Sequence, residues 1–388
     1  MNRARGNTST GGETRGLARM YRRYAQAGAA RNSPLYERLA LALSESEAAL
    51  RAIRTAPARR RHPALILAAL HDLALAGRAP ELAAAYTATD HDAAAGTAID
   101  TLLRMTDSVV ELAVRRRPWT DETHARAVLY PAVAEVARRL RAHAVALVDV
   151  DCAAGFDLTV DRAGLTYSNG QILGDPSAPS RLSSSVVGDR PLPAYAIPRV
   201  TTRIGIDRAP LDVTCAEDAR WLRACLPPDR PERMARLDAD IGSVASVSPL
   251  LLRGDALDLL PEAFARVPAG TLPVVTTAWA LSRCKPEDRL RFLRRLEAAA
   301  AGRVVAWVSV EGVGVAPAIP TFGDRPASGH SIIGLAIFDG TDSHTEALGR
   351  CWSRGRMLAW SAESPPDAGP SQLFHSLQTG AGPMKNTP

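Results

Sequence analysis

Apolar positions recur at helical spacing through the first third of the chain. Near residue 144 they give way to short β-rich runs separated by helical segments. That change of period predicts an all-helical N-terminal region followed by an α/β domain. The helical segments expected are roughly Leu17 to Ala27, Ser33 to Ile53, Pro63 to Ala76, Thr97 to Val114, and a last one from Thr120 toward His143. Ser33-Pro34 has the form of a capped start, with a hydroxyl at the N-cap and a proline whose missing N–H costs nothing at the first helical position. Gly77 and Pro80 close the third segment, and Asp121 and Glu122 suit the positive end of the last.

The strands expected are Val145 to Val150, Thr201 to Ile206, Ser248 to Arg253, Pro273 to Thr277, Val304 to Val310, Ile332 to Phe338 and Arg356 to Trp360. Helices are expected between them at Glu217 to Leu226, Pro231 to Ile241 and Glu287 to Ala301. The stretch from about 158 to 198, full of Ser, Pro and Gly, reads as a hairpin or loop insertion. The domain plan is therefore a disordered lead over 1–14, helices over 15–143, the α/β domain over 144–362 and a polar, Pro- and Gly-rich tail over 363–388.

In an open parallel sheet ligands sit outside the carboxyl ends of the strands, so the strand endings carry the candidate chemistry. The first strand runs into Asp149-Val150-Asp151-Cys152-Ala153-Ala154-Gly155. Its spacing is the acid-x-Gly-x-Gly-x-Gly with which methyltransferases hold S-adenosylmethionine, with only the last glycine kept. Asp207 ends the second strand, where a carboxylate would bridge ribose hydroxyls, and Gly254-Asp255 ends the third, where an acceptor for the adenine amine is needed. The cofactor set is thus Asp149, Asp151, Ala153, Gly155, Asp207, Gly254 and Asp255.

Asp151 stands where a glycine would let the backbone approach the ligand. Either its carboxylate bonds the ligand's ammonium group or the site has lost this cofactor. Asp207 and Asp255 also fit plain turn chemistry. Cys152 is read as a small thiol packing the turn in preference to a nucleophile. Glu122, at a helix mouth, and Glu311, ending a buried strand, are the candidates for orienting or deprotonating a substrate. For each a structural role, a helix-end acid or the partner of an arginine, competes. His71 reads as an interior histidine and His330 as a loop residue.

Composition narrows the classes. The net charge of +6 is local, because Met1–Arg61 holds 13 Arg against 4 Glu. A basic helical segment can bind polyanions, but aromatic residues are only 5% and no stacking set interleaves the arginines, so a solvated face is expected and nucleic acid is not. The five cysteines are scattered without a C-x-x-C pair, and no His-x-x-x-His spacing occurs, so neither a disulfide framework nor a metal site is expected. No G-x-S-x-G elbow and no phosphate-binding G-x-x-x-x-G-K-[ST] loop is present. Apolar runs fall short of the ~20 residues that cross a bilayer, and a cytoplasmic protein acting on a small molecule is expected.

Several segments together resemble a bacterial family, domain of unknown function 2332: Ser33-Pro34-Leu35-Tyr36-Glu37, the helix Pro63 to Ala76, Thr120-Asp121-Glu122, Leu147 to Leu158, Gly205-Ile206-Asp207 with Pro210 to Thr214, Glu217 to Leu222, Arg253-Gly254-Asp255 and Glu311-Gly312. The resemblance implies a doubly wound, class I methyltransferase-like, mostly parallel sheet behind a helical N-terminal region, with no activity attached. Where members look like Glu-Val-Gly-Ala-Ser-Ala-Gly, this chain has the Asp149 to Gly155 loop. It also departs at Thr120-Asp121-Glu122 and at Thr277-Ala278. The function expected is an S-adenosylmethionine-dependent, methyltransferase-like activity on a small molecule. A non-catalytic binding or scaffold protein, or an enzyme using another ligand in the same crevice, are the alternatives.

Overall fold

The computed structural model describes residues 5–27, 33–340 and 342–362, with side chains from residue 12. Its helices are α1 (Arg5–Gln26), α2 (Pro34–Glu45), α3 (Glu47–Arg54), α4 (Pro63–Leu75), α5 (Pro80–Thr87), α6 (His91–Arg104), α7 (Thr106–Arg115), α8 (Arg126–Arg139), α9 (Ala216–Ala224), α10 (Pro231–Val247), α11 (Ala256–Ala265) and α12 (Pro286–Ala299). The strands are β1 (Ala144–Val150), β2 (Gly164–Tyr167), β3 (Ile172–Gly174), β4 (Arg181–Val186), β5 (Arg199–Asp207), β6 (Leu250–Arg253), β7 (Leu272–Ala278), β8 (Val304–Gly312), β9 (Ser331–Asp339), β10 (Asp342–Trp352) and β11 (Met357–Trp360). The polar lead is helical from Arg5 onward, where disorder was expected to Thr14. The expected disordered tail over 363–388 lies outside the described residues.

The chain forms two compact units: Met1–Asp121 with Thr214–Asp238, and Glu122–Val213 with Ala239–Pro388. The sequence placed a boundary at 143/144 instead. The difference has two sources: α8 belongs with the sheet, and α9 belongs with the N-terminal helices.

The first unit is built from amphipathic helices. Ser33 caps α2 by accepting from the Tyr36 N–H at 3.0 Å, and its hydroxyl donates to Asp229 at 2.6 Å. The single helix expected from Ser33 to Ile53 is two, because Ser46 leaves the helical region and caps α3 by accepting from the Ala49 N–H. Helix α4 is apolar all round, as a helix enclosed by others must be. His71 and Asp72 on it are buried: the His71 ring bonds the Leu226 carbonyl at 3.0 Å, and Arg220 donates to Asp72 at 3.0 Å.

The second unit holds one mixed sheet in the order β3-β2-β4-β11-β10-β9-β8-β7-β1-β5-β6. From β6 to β8 the pairs are all parallel, and β8-β9-β10-β11 is an antiparallel meander. The chain steps outward through β1, β5 and β6, then returns to the other side of β1 with β7 and β8, so the strand order reverses beside β1. Side chains alternate between two cores. Val145, Leu147, Val274, Ala306 and Val308 face α8 on one side. Val148, Val150, Val275, Val305 and Trp307 face α11 and α12 on the other. The insertion after β1 is ordered: β2, β3 and β4 continue the sheet at its far edge, where β4 lies parallel to β11.

Candidate functional site

The register brings the expected strand endings together. Asp149 lies between Gly205 of β5 and Thr276 of β7, and Asp207 lies opposite Arg253 of β6. The loop after β1 turns back on itself, with Asp151 N–H donating to the Ile206 carbonyl at 2.8 Å. It does so with φ of +63° at Asp151, +49° at Ala153 and +77° at Gly155. Two side chains thus occupy backbone conformations that glycine adopts without cost. Gly205 opposite must stay bare, because a Cβ there would meet the Cys152 sulfur at 2.5 Å. Cys152 is buried, and burial pushes its thiol well above the ordinary range, so it packs the turn as the thiolate-free form.

Asp207 ties the neighbouring turns to this loop. Its carboxylate accepts from the Ala153 N–H at 3.0 Å and from the Ala209 N–H at 2.7 Å. Each oxygen keeps lone-pair capacity after those bonds. Asp149 is buried and accepts from the Thr276 hydroxyl at 2.7 Å; burial raises its pKa, and the nearby Asp157 carboxylate raises it further. Asp255 caps α11 by accepting from the Leu257 N–H at 2.9 Å, and Arg208 donates to it at 2.5 Å. Partial burial pushes Asp255 up, but those bonds outweigh it and its pKa falls below the usual value. At Gly254 before it a Cβ would meet the end of the Leu259 side chain at 2.8 Å, which would have to move aside.

An arginine ladder crosses the loop. Arg283 pairs with Asp151 and lies 3.5 Å from Glu122, which also receives Arg354 at 3.0 Å. Burial raises the pKa of Asp151 and the Asp207 charge adds to it, against the pull of Arg283. Arg283 is placed by Glu311, whose fully buried carboxylate accepts from the Leu281 N–H at 2.9 Å and the Ser282 hydroxyl at 3.1 Å. Burial pushes Glu311 up to about 7 in spite of those donors. Arg354 stacks over Trp279 at 4.6 Å, and the Trp279 indole N–H donates to Ser331 at 2.9 Å. Beyond it His330 bonds Asp324 at 2.8 Å, and Arg350 donates to the same carboxylate at 2.6 Å.

Backbone strain marks this edge. Of the non-glycine residues with positive φ, Asp151, Ala153, Trp279, Ala318, Phe322, Ser353 and Arg354 all lie in turns at the carboxyl ends of the parallel strands. Arg141 and Ser248 are the exceptions, preceding β1 and β6. Strained residues persist where packing over-determines them, and they cluster at ligand sites.

The residues expected to hold the cofactor or to act on a substrate lie on this edge. Asp149, Asp151, Ala153, Asp207 and Gly254 are joined by strand pairing or hydrogen bonds, and Glu122 joins through Arg283. Glu311 reaches the loop through the turn it holds, and Asp255 stands aside as a helix cap. Sequence reading missed Arg283, Arg354, Trp279 and Asp157. Asp157 sits in the turn after Gly155, and burial lifts it to about 7 against the opposing Arg126 charge. A second acid in the segment after a cofactor-type loop was a visible signal for Asp157. The arginines left none, since their partners are distant in sequence. Among the described residues no group of His, Cys, Asp or Glu is arranged to hold a metal ion, and no helix is long and apolar enough to cross a membrane.

Fold and site define an α/β protein with a mixed sheet, whose polar and strained residues gather where the parallel strands end. The chain belongs to a bacterial family: residues 18–360 match the one described as "uncharacterized protein conserved in bacteria (DUF2332)". No curated protein matches the sequence.

Proposed function

We propose that this edge binds S-adenosylmethionine and that the protein is a methyltransferase-like enzyme acting on a small molecule. The observation that carries the reading is the loop after β1. Although two glycines of the motif are replaced, Asp151 and Ala153 keep glycine-like backbone, and Ala153 remains bonded to Asp207. The reversal of strand order beside β1 supports it, because that is where open α/β sheets bind nucleotides.

The residues present fit both halves of the cofactor. Asp207 has lone pairs to spare for ribose hydroxyls. Asp151 and Arg283 form a carboxylate and guanidinium pair that can be exchanged for the ammonium and carboxylate of an amino acid, charge for charge. Bound there, the cofactor supplies an electrophilic methyl group. The chain's own part is alignment of the substrate and removal of its proton. Asp157 and Glu311, both raised to about 7 by burial, are carboxyl groups able to hold a proton near neutrality, and burial raises Asp149 as well. Glu122, between Arg283 and Arg354, has the surroundings of a positioning carboxylate.

The alternative, a binding or scaffold protein or an enzyme for another ligand, is favoured by one observation: Asp151 and Arg283 already satisfy each other. Calorimetric titration with S-adenosylmethionine and S-adenosylhomocysteine separates the readings. Saturable binding, abolished in Asp207→Ala and at least about tenfold weaker in Asp151→Asn and Arg283→Gln, is expected from charge-assisted contacts. Absence of binding at millimolar ligand would favour the alternative. Tighter binding in Asp151→Gly would make Asp151 an obstacle and overturn its assigned contact.

A further inference from the structure

The turn that opens β9 carries a histidine with the surroundings of a base. His330 directly precedes Ser331, which pairs with Gly312 at the end of β8, so it stands on the same edge as the loop after β1. Two contacts join it to the arginine ladder. Ser331 accepts from the Trp279 indole that lies under Arg354, and the Trp352 ring, two residues before Arg354, is 5.5 Å from the imidazole. From Arg354 the ladder runs through Glu122 and Arg283 to Asp151.

The partners of His330 decide which of its nitrogens can take a proton. Nε2 lies 2.8 Å from Asp324, and Arg350 donates to both oxygens of that carboxylate, at 2.6 and 3.1 Å. The Arg350 bonds, helped by His330, lower Asp324 to about 2, so near neutral pH it is ionised and can only accept. In the neutral ring the proton therefore sits on Nε2 and the lone pair on Nδ1. Nδ1 has no hydrogen-bond partner among the described residues and is not sealed off from solvent. A carboxylate that orients an imidazole whose other nitrogen is open is the arrangement of a general base. The loop between β8 and β9 keeps it in place with Ala318 and Phe322 both at positive φ.

Proton affinity and neighbours narrow the substrate. An imidazole matches a hydroxyl that ionises near the ~10 of a phenol, and an aliphatic alcohol is too weak an acid for it. In a chain with an aromatic share of 5%, the half-buried Trp352 flanks the histidine, and the exposed Phe322 lies under its clamp, 4.4 Å from the Arg350 guanidinium. Flat apolar surfaces of this kind suit an aromatic ring.

We propose, on the methyltransferase reading above, that His330 is the proton acceptor of the site and that the substrate is a small phenol. In the step, Nδ1 takes the hydroxyl proton while the phenol oxygen bonds the methyl carbon. The sulfur–methyl bond breaks with its electron pair left on sulfur, and the imidazolium returns its proton to water. The test uses the full chain and 4-nitrophenol, whose phenolate absorbs visible light, at a pH where the free probe is mostly neutral. A saturable rise of the phenolate band, one equivalent per chain, is expected from a phenolate–imidazolium pair. His330→Gln should weaken that binding at least about tenfold and Asp324→Asn in the same direction, whereas His143→Gln, exposed at the opposite edge of the sheet, should stay within about twofold. Thermal melts check that the variants fold, and His330→Asn replaces the glutamine if it does not. No saturable band at millimolar probe would overturn the proposal. So would a band unchanged in His330→Gln, since a melting point lowered alone would leave the His330–Asp324 pair merely holding its loop. Calorimetry with S-adenosylmethionine reads the donor separately, and His330→Gln should bind it within about twofold of the native protein. Loss of that binding in both proteins, with the band still dependent on His330, would remove the methyl donor and leave the phenol site standing.

Discussion

Glu311 shows how one buried side chain reports on its surroundings. Its oxygens hold the turn at Leu281 and Ser282, and burial raises its pKa from 4.5 to about 7. The folded protein therefore binds this proton more tightly than the unfolded chain. The resulting stability is complete below about pH 4.5 and is lost as pH rises toward 7. Glu311→Gln keeps an acceptor for the Leu281 N–H and abolishes the titration. Urea unfolding of both proteins should show the variant gaining on the native protein between pH 5 and pH 8, by on the order of 3 kcal/mol. A constant difference across that range would show that Glu311 does not titrate there. The acid itself was visible in the sequence as the end of an apolar run. Its role was not, because the donors it serves lie 29 and 30 residues away.

At the level of elements, legibility followed the strength of local pattern. Strands β1, β7 and β8 stood out because enclosed strands are nearly continuous apolar runs, and β5 by its β-branched residues. Strand β10 was missed: its first half, Asp-Ser-His-Thr-Glu, is polar and exposed or half-buried, and that half pairs with β9 alone. The strands of the insertion are too short and too rich in Ser and Gly to announce themselves, and α11 was hidden by Pro261 within it. Helix α8 depends on a buried charge. Arg126, fully enclosed, donates to Asp240 of α10 at 2.6 Å and to the Thr123 carbonyl at 3.1 Å. Arg126→Met should cost roughly 3–5 kcal/mol, because it leaves the Asp240 carboxylate buried without its countercharge. The double variant Arg126→Met/Asp240→Leu should recover much of that loss in thermal melts.

Across the whole molecule the two units respond to acid in opposite directions. In the first, burial lowers His71 to about 4, so its stabilisation is present above about pH 6.5 and is lost as pH falls toward 4. In the second, Glu311 and Asp157 gain protons over nearly the same interval and favour the folded state. Hydrogen exchange at pH 7 and pH 5 should show protection falling in α4 and rising in β7 and β8. Parallel changes in both units would contradict the assignment. The composition of the chain gives no hint of this division, which arises from burial alone.

The excursion between β1 and β5 has a consequence for synthesis. The ribosome delivers β2 and β4 early and they pair with each other, yet the neighbour on the other side of β4 is β11, about 170 residues later in the chain. Until Met357–Trp360 emerges, Ser185 and Val186 present an unpaired margin to the cytosol of whatever host makes the protein. A nascent chain stalled short of that point exposes an adhesive border, and chaperone dependence should end when the last strand leaves the exit tunnel.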